Sequence, residues 1–144
     1  MHIPSRSHRA LAILVLSGIA LAALGSARAA PGATPPRPFV TEVTRQLLPE
    51  LPGKEVLVLT VDYPPGAIDP VHRHDAHAIV YVLAGTIVMG VAGGPEVTIG
   101  PGQTFHEGPR DLHTVGRNAS SRKPARFVVF LLKDIGKPAL IPAD

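Results

Sequence analysis

The sequence predicts an all-β domain of the sandwich or barrel type. Beyond residue 38, short runs rich in β-branched residues alternate with turn signals of proline and glycine. These turn signals recur about every 8 to 12 residues, a spacing typical of short antiparallel strands. No segment carries the apolar 3.6-residue period of an amphipathic helix of about 12 residues or more.

The strands are predicted in chain order from these runs. The first run, EVLVLTVDY, ends at a Pro-Pro-Gly turn, and later runs are divided by Gly85, by a Gly-Gly-Pro turn and by a Pro-Gly turn. The predicted strand regions are residues 55–63, 78–92, 96–107, 112–116 and 125–134. Residues 41–48 have mixed character and fit either a helix or a strand.

Residues 1–29 have the three zones of a secretory signal. Two arginines supply positive charge, an apolar run follows over residues 10–24, and residues 27–29 match the small-x-small cleavage pattern. The apolar run of about 15 residues is shorter than the roughly 20 that a membrane-spanning helix needs. We therefore expect a cleaved signal rather than a membrane anchor, and a secreted or periplasmic mature protein.

The charge of the chain changes once this segment is removed. Three of the 14 Lys and Arg residues lie in residues 1–29, and all 11 Asp and Glu residues follow it, so the mature chain sums to about zero. No basic run remains that would indicate nucleic acid or a lipid surface as a partner. Residues 30–38, rich in proline, glycine and alanine, predict a flexible leader into a single domain over residues 39–144.

Histidines are clustered in the middle of the chain. Five of the seven lie within residues 72–113. Residues two apart in a strand share a face, so His72 and His74 are expected to point in the same direction. Two neutral imidazoles on one face favour binding of a divalent transition metal.

Three more histidines are weighed as further ligands. His77 has the wrong parity for a straight strand and converges with the first pair only if residues 75–76 form a turn or bulge. His113 begins a later strand that can lie across a barrel from that pair. His106 alternates with Phe105 and Glu107 and is expected on a strand surface.

Two segments resemble the motifs of the cupin superfamily. Residues 66–85, GAIDPVHRHDAHAIVYVLAG, are similar to the first motif, in which glycine precedes His-x-His, an acidic ligand and a second glycine. Residues 102–118, GQTFHEGPRDLHTVGRN, resemble the second motif, in which His113 matches the metal ligand. The proline and asparagine of this motif are each displaced by one position. The resemblance covers about residues 55–132 and implies a jelly-roll barrel, the double-stranded β-helix.

The resemblance has one departure, at the fourth ligand. Where the family usually carries a glutamate, seven residues before Gly85, this chain has Ala78, with His77 beside it. Three ligand sets are open, in order of preference. His77 replaces the carboxylate, or the other three histidines leave positions open for water or substrate, or Glu107 enters as the carboxylate.

The resemblance implies a small apolar pocket around the metal, which would be Fe, Mn, Ni, Cu or Zn. The leading hypothesis is a metal-dependent enzyme of the small dioxygenase kind, similar to quercetinase-like proteins, acting on a small molecule. Glu107 is its candidate general base where it is not a ligand. The alternative is an exported module that binds a metal or small ligand without turnover. Candidates for the pocket lining are Val80, Val82, Val88, Phe105 and Val115.

The segment FVTEVTRQLL, which opens the predicted domain, indicates assembly. It is apolar at Phe39, Val40, Val43 and Leu47, and a lone barrel of this size has little core left for it to cover. An exposed edge strand is also a hazard for uncontrolled pairing. We therefore expect a homodimer in which this segment packs on a neighbouring copy.

Overall fold

The computed structural model describes residues 34–143, and the signal predicted over residues 1–29 lies outside that range. All regular elements within it are strands, which confirms the all-β prediction. Their bounds are β1 Phe39–Leu47, β2 Lys54–Tyr63, β3 His72–Arg73, β4 Ala76–Ala84, β5 Ile87–Val91, β6 Val97–Ile99, β7 Thr104–Glu107, β8 His113–Asn118, β9 Ala125–Asp134 and β10 Ile141–Pro142. Over the same residues, no helix is of a length and apolarity to cross a membrane.

The strands form two antiparallel sheets of five strands each. The first sheet has the order β1-β2-β9-β4-β7, and the second has the order β10-β3-β8-β5-β6. The chain crosses between the sheets repeatedly, because β3 lies in the second sheet, β4 in the first and β5 in the second again. This is the double-stranded β-helix, so the fold expected from the two motifs is confirmed.

The core lies between the two sheets and follows from period-2 burial along the long strands. In β2, β4 and β9, every second side chain is buried and its neighbours are exposed or half-buried. Because successive side chains of a strand point to opposite faces, each of these strands contributes one apolar row to the interior. The rows pack against one another and against Ile87, Met89 and Ile99 from the second sheet.

The ambiguous segment at residues 41–48 is largely strand β1. It pairs with β2 from Phe39↔Asp62 to Leu47↔Glu55, with a bulge between Glu42 and Thr44. All nine of its residues are exposed, so backbone pairing holds it at the edge of the first sheet while its apolar side chains remain uncovered. The segment is therefore a strand because it pairs with β2, although its apolar pattern alone fits either a helix or a strand.

A break at Asp75 separates β3 from β4. Asp75 has a positive φ of 26°, which is uncommon outside glycine and is tolerated better by Asp and Asn than by most residues. The chain leaves the second sheet at this residue and enters the first, where Ala76, Ala78 and Val80 point inward. The in–out alternation nevertheless continues across this break, from His72 and His74 to Ala76 and Ala78, so His77 falls on the outward face.

Gly85 joins β4 to β5 at a position where both backbone and space require glycine. Its φ is +73°, and a Cβ there would lie 2.5 Å from the Pro124 carbonyl oxygen and 2.6 Å from Ala125 Cα. Both atoms belong to backbone, which cannot give way as a flexible side chain can. The tight turn therefore depends on the absence of a side chain.

Gly85→Ala is expected to destabilise the domain much more than Gly93→Ala. Gly93 has a similar φ of +79° but has no atom within 4 Å of the Cβ site, so its variant carries only the backbone strain, about 1–2 kcal/mol. Gly85→Ala adds overpacking against backbone and should lose at least about 3 kcal/mol. Urea unfolding of both variants measures the difference. Equal losses would mean that the contact with β9 imposes no constraint.

Candidate metal centre

Four polar side chains converge between the two sheets. His72 lies on β3, His74 follows it directly, Glu107 ends β7 and His113 begins β8. One ligand atom from each lies within 4.8 Å of all the others. His72, Glu107 and His113 are 3%, 2% and 3% exposed, so the cluster lies in the interior and is not a solvated surface group.

The backbone fixes which nitrogen of two imidazoles faces the cluster. His72 Nδ1 lies 2.8 Å from the Pro70 carbonyl oxygen, and His74 Nδ1 lies 2.5 Å from the Ala139 carbonyl oxygen. A carbonyl oxygen only accepts, so both Nδ1 atoms must carry the proton and donate. In the neutral rings the two Nε2 atoms then present lone pairs, and they face each other at 3.1 Å.

The remaining two members lie beside this pair, and His113 turns its Nδ1, not its Nε2, toward them. His113 Nδ1 is 3.3 Å from His72 Nε2 and 3.5 Å from Glu107 Oε2, and the same carboxylate oxygen is 3.6 Å from His74 Nε2. Glu107 Oε2 and His113 Nε2 are buried without any hydrogen-bond partner within residues 34–143. Buried polar atoms are nearly always satisfied, and such exceptions require an explanation.

Glu107 stands directly opposite Ala78. The two residues are register partners in the β4–β7 pair, and both are buried, at 2% and 0% exposure. Residues directly opposite in an antiparallel pair project to the same face with Cβ atoms about 5 Å apart. Glu107 therefore delivers its carboxylate from the neighbouring strand to the region that a glutamate at position 78 would occupy. Alanine at that position leaves the space that the carboxylate fills.

Burial sets the protonation states of this cluster. It lowers the pKa of His74, and it lowers the pKa of His113 to about 4, with the nearby His72 adding to both effects. It raises the pKa of Glu107 to about 7, with Asp69 and Asp111 adding to the effect. Neutral imidazoles carry no charge, so the 3.5 and 3.6 Å contacts to Glu107 are not ion pairs. Neutral imidazole is the form that binds metal.

His77 does not join the cluster, in contrast to the first of the three ligand sets. The turn at Asp75 is present, but it sends the chain into the first sheet with Ala76 and Ala78 inward, so His77 points outward and is exposed. Its Nδ1 lies 3.2 Å from Nε2 of His106, which is also exposed. Of the three sets, the third, with Glu107 as the carboxylate, describes what the fold brings together.

A cavity of about 100 Å³ adjoins the cluster. Of the five residues expected to line it, only Val80 does so, and Val82, Val88, Phe105 and Val115 lie outside its lining. Besides the four cluster residues and Asp69, its lining is apolar and consists of Val40, Leu59, Val61, Val80, Met89, Phe127, Val129, Leu131, Ala139 and Leu140.

Asp69 is the polar lining residue that sequence reasoning missed. It lies between β2 and β3, inside the first motif, and accepts a hydrogen bond from the hydroxyl of Tyr63. Asp69 is followed by proline, and an Asp-Pro pair indicates a turn, so the sequence gives no separate sign of a role in the cavity. Its position three residues before His72 is the one signal that could have indicated it.

The donor set fits a divalent transition metal. Three imidazoles and one carboxylate suit Fe, Mn, Ni, Cu and Zn, and two of the imidazoles have their second nitrogen held by a backbone carbonyl, as metal-ligating histidines usually do. A cation between the facing lone pairs would also satisfy the orphaned Glu107 Oε2. His72, His74, Glu107 and His113 are thus the residues that would hold the metal.

Solved structures with the same fold include proteins of several kinds. A DMSP lyase, DddQ, from Ruegeria pomeroyi is 24% identical with a TM-score of 0.55, over 61% of this chain and 43% of that one. An uncharacterized protein with a double-stranded β-helix domain from Klebsiella pneumoniae is 17% identical with a TM-score of 0.59, over 78% and 90%. An oxalate oxidase in complex with the substrate analogue glycolate is 27% identical with a TM-score of 0.56, over 76% and 56%.

The chain spans less than two thirds of the lyase and of the oxidase, so neither activity transfers with the fold. No curated protein matches this chain. The family model described as "Cupin domain" matches residues 59–131, which is 73 of the 144 residues and includes His72, His74, His113 and Glu107. With the two-sheet fold and the buried histidine cluster, this match shows that the chain belongs to the cupin family.

Proposed function

We propose that this chain is an exported cupin that binds one divalent transition metal through His72, His74, His113 and Glu107. It acts with that metal as a small enzyme of the dioxygenase kind on a small molecule. Export is inferred from the pattern of residues 1–29. The metal would supply Lewis-acid or redox chemistry to the bound molecule.

The observation that carries metal binding is the pair of facing lone pairs on His72 and His74. Both rings have their Nδ1 protons committed to backbone carbonyls, so their Nε2 atoms, 3.1 Å apart, have no proton to share in the neutral state. Two lone pairs held this close in a buried site repel unless a cation lies between them. Burial lowers the pKa of His74, which disfavours a proton as that cation and leaves a metal ion.

Turnover is supported by the kinds of protein that share the fold, which include a lyase and an oxidase. With Glu107 as a ligand, its sequence-based role as general base is no longer needed. The alternative, capture of a metal or small ligand without turnover, is favoured by the size of the cavity. About 100 Å³ holds a metal with water or a molecule of few non-hydrogen atoms.

The ligand set is tested by metal affinity. Glu107→Gln is expected to weaken Zn²⁺ binding by at least about 100-fold, because it removes an anionic ligand from a buried site. His77→Ala should leave the affinity unchanged, since that side chain is exposed on the outer face. Competition titration with a chromophoric chelator measures both. A larger loss in His77→Ala than in Glu107→Gln would contradict the Glu107 set and restore the four-histidine set.

An exchange of residues between the two strands sharpens this test. The double variant Ala78→Glu with Glu107→Ala keeps one carboxylate and one alanine but moves the carboxylate to the opposite strand. It should recover most of the affinity that Glu107→Ala alone loses, because both positions point into the same space. A double variant as weak as Glu107→Ala would mean that the two positions are not equivalent.

Turnover is tested by metal content and oxygen uptake together. We expect one metal per purified mature chain, and uptake of oxygen that depends on an added small molecule in protein loaded with Fe, Mn, Cu or Ni. His72→Ala should abolish both, whereas His106→Ala, an exposed histidine outside the cluster, should abolish neither. Elemental analysis and an oxygen electrode are the measurements. Stoichiometric metal without uptake across a broad panel of small molecules would favour the binding module.

The assembly is proposed to be a homodimer that covers β1. Phe39, Val40 and Val43 are 68%, 59% and 57% exposed. Phe39 shares the outer face of the first sheet with exposed Phe130 and Ile79, whereas Val40, the register partner of buried Val61, also lines the cavity. Light scattering at micromolar concentration should give twice the mass of the chain. Phe39→Asp should shift it toward the monomer, while Thr98→Asp, on exposed β6 of the other sheet, should not. A monomeric wild-type chain would contradict the proposal.

A further inference from the structure

A buried tyrosine and an aspartate form a second polar pair beside the centre. Tyr63, the last residue of β2, is completely buried, and its hydroxyl donates a hydrogen bond to Asp69 Oδ2. Burial raises the pKa of Tyr63, so the phenol stays protonated and remains the donor. Neither side chain belongs to the metal-binding cluster.

The Tyr63–Asp69 pair and the imidazole of His113 lie next to each other beside Gly116. A Cβ at Gly116 would lie 2.8 Å from Asp69 Oδ2, 3.1 Å from the Tyr63 hydroxyl and 3.0 Å from Cε1 of His113. All three atoms therefore surround one point above the backbone of β8, and the pair adjoins a member of the cluster. The backbone N–H of Asp69 also donates to the Gly116 carbonyl oxygen at 2.8 Å, which holds the aspartate in this position.

Among the described residues, one carboxylate oxygen of Asp69, Oδ1, has no side-chain hydrogen-bond partner. The hydrogen bonds of Asp69 to side chains of the described residues engage Oδ2 alone, through Tyr63, and the residue lines the cavity. Apart from Asp69 and the four cluster residues, the lining is apolar, and it includes neither lysine nor arginine. Apart from the cluster itself, Asp69 is therefore the lining residue that can form a polar contact with a bound molecule.

We propose that Asp69, held by Tyr63, is the specificity-determining acceptor of this centre and takes a hydrogen bond from an O–H or N–H of the bound small molecule. The molecule is then compact, mostly apolar and equipped with a hydroxyl, amine or amide donor, and it is not a carboxylate without a donor. This inference rests on the proposed metal centre. A carboxylate accepts but does not donate, so it discriminates between these two classes of ligand.

Two probes that differ in donor content test this on the cobalt(II)-loaded full chain. Acetohydroxamic acid carries an N–H donor, whereas acetate carries none, and both fit a cavity for few non-hydrogen atoms. Their Kd values are read from the visible bands of cobalt. In Asp69→Asn, Tyr63 donates to the amide oxygen and the amide NH₂ faces the cavity as a donor. We expect hydroxamate to bind about tenfold more weakly and acetate about tenfold more tightly than in the wild type.

Two further variants separate recognition from folding. Tyr63→Phe leaves the carboxylate without its anchor and should weaken hydroxamate by several-fold with acetate unchanged. Asp62→Asn makes the same chemical change on the outward side of β2 and should alter neither Kd. If the Tyr63–Asp69 pair were only structural, the substitutions would lower the melting temperature and leave the ratio of the two Kd values as in the wild type.

The outcomes distinguish this inference from the proposed function. If the wild-type chain binds no cobalt, the metal centre itself is wrong. If Asp69→Asn and Tyr63→Phe both hold one cobalt per chain with unchanged Kd values for both probes, the centre stands and the role of Asp69 is overturned. Loss of cobalt in Asp69→Asn, with retention in Tyr63→Phe, would make Asp69 a ligand and overturn the inference as well.

Discussion

The centre depends on a constraint imposed by the backbone. The carbonyls of Pro70 and Ala139 hold the Nδ1 protons of His72 and His74, so both Nε2 lone pairs turn inward. Burying polar atoms without partners costs free energy, and the cost rises in a low-dielectric interior. The Ala139 carbonyl comes from the segment before β10, which also pairs with β3, so the C-terminal residues of the barrel help to set the tautomer of a residue far away in sequence.

The alternation of side chains along the first motif explains why the carboxylate comes from another strand. His72, His74, Ala76 and Ala78 all point inward and His77 points outward, so the first motif supplies two imidazoles and a gap at Ala78. Glu107, the register partner of Ala78, fills that gap from β7. A glutamate at both positions would bury two neighbouring carboxylates on Cβ atoms about 5 Å apart, and their like charges would raise the pKa of one of them. The small side chain of Ala78 therefore leaves room for a single buried carboxylate, which Glu107 supplies from the opposite strand.

Much of the fold could be predicted from the sequence, but the choice of Glu107 over His77 as the fourth candidate ligand could not. Period-2 burial and recurrent turn signals identify β2, β4 and β9, and motif spacing identifies His72, His74 and His113. The fourth ligand depends on which residue of β7 stands opposite Ala78, and cross-strand register leaves no local mark in a single sequence. His77 is near in sequence, but the alternation of inward and outward side chains continues through the break at Asp75 and leaves it on the outward face. Asp69 was missed because an Asp-Pro pair also reads as a turn.

Two buried carboxylates in this barrel are treated in opposite ways. Glu55 receives the ammonium of Lys133 at 2.5 Å and the guanidinium of Arg45 at 2.7 Å, and the same ammonium donates to the carbonyls of Asp134 and Lys137. All three protons of Lys133 are thus used within the protein. Glu107 is buried as deeply, yet its Oε2 has no donor among the described residues and its nearest partners are imidazoles that burial keeps neutral. Where this fold needs a buried carboxylate for structure, it supplies the cation from its own chain. At Glu107 it supplies lone pairs instead, and a metal ion, not a side chain, would complete that arrangement.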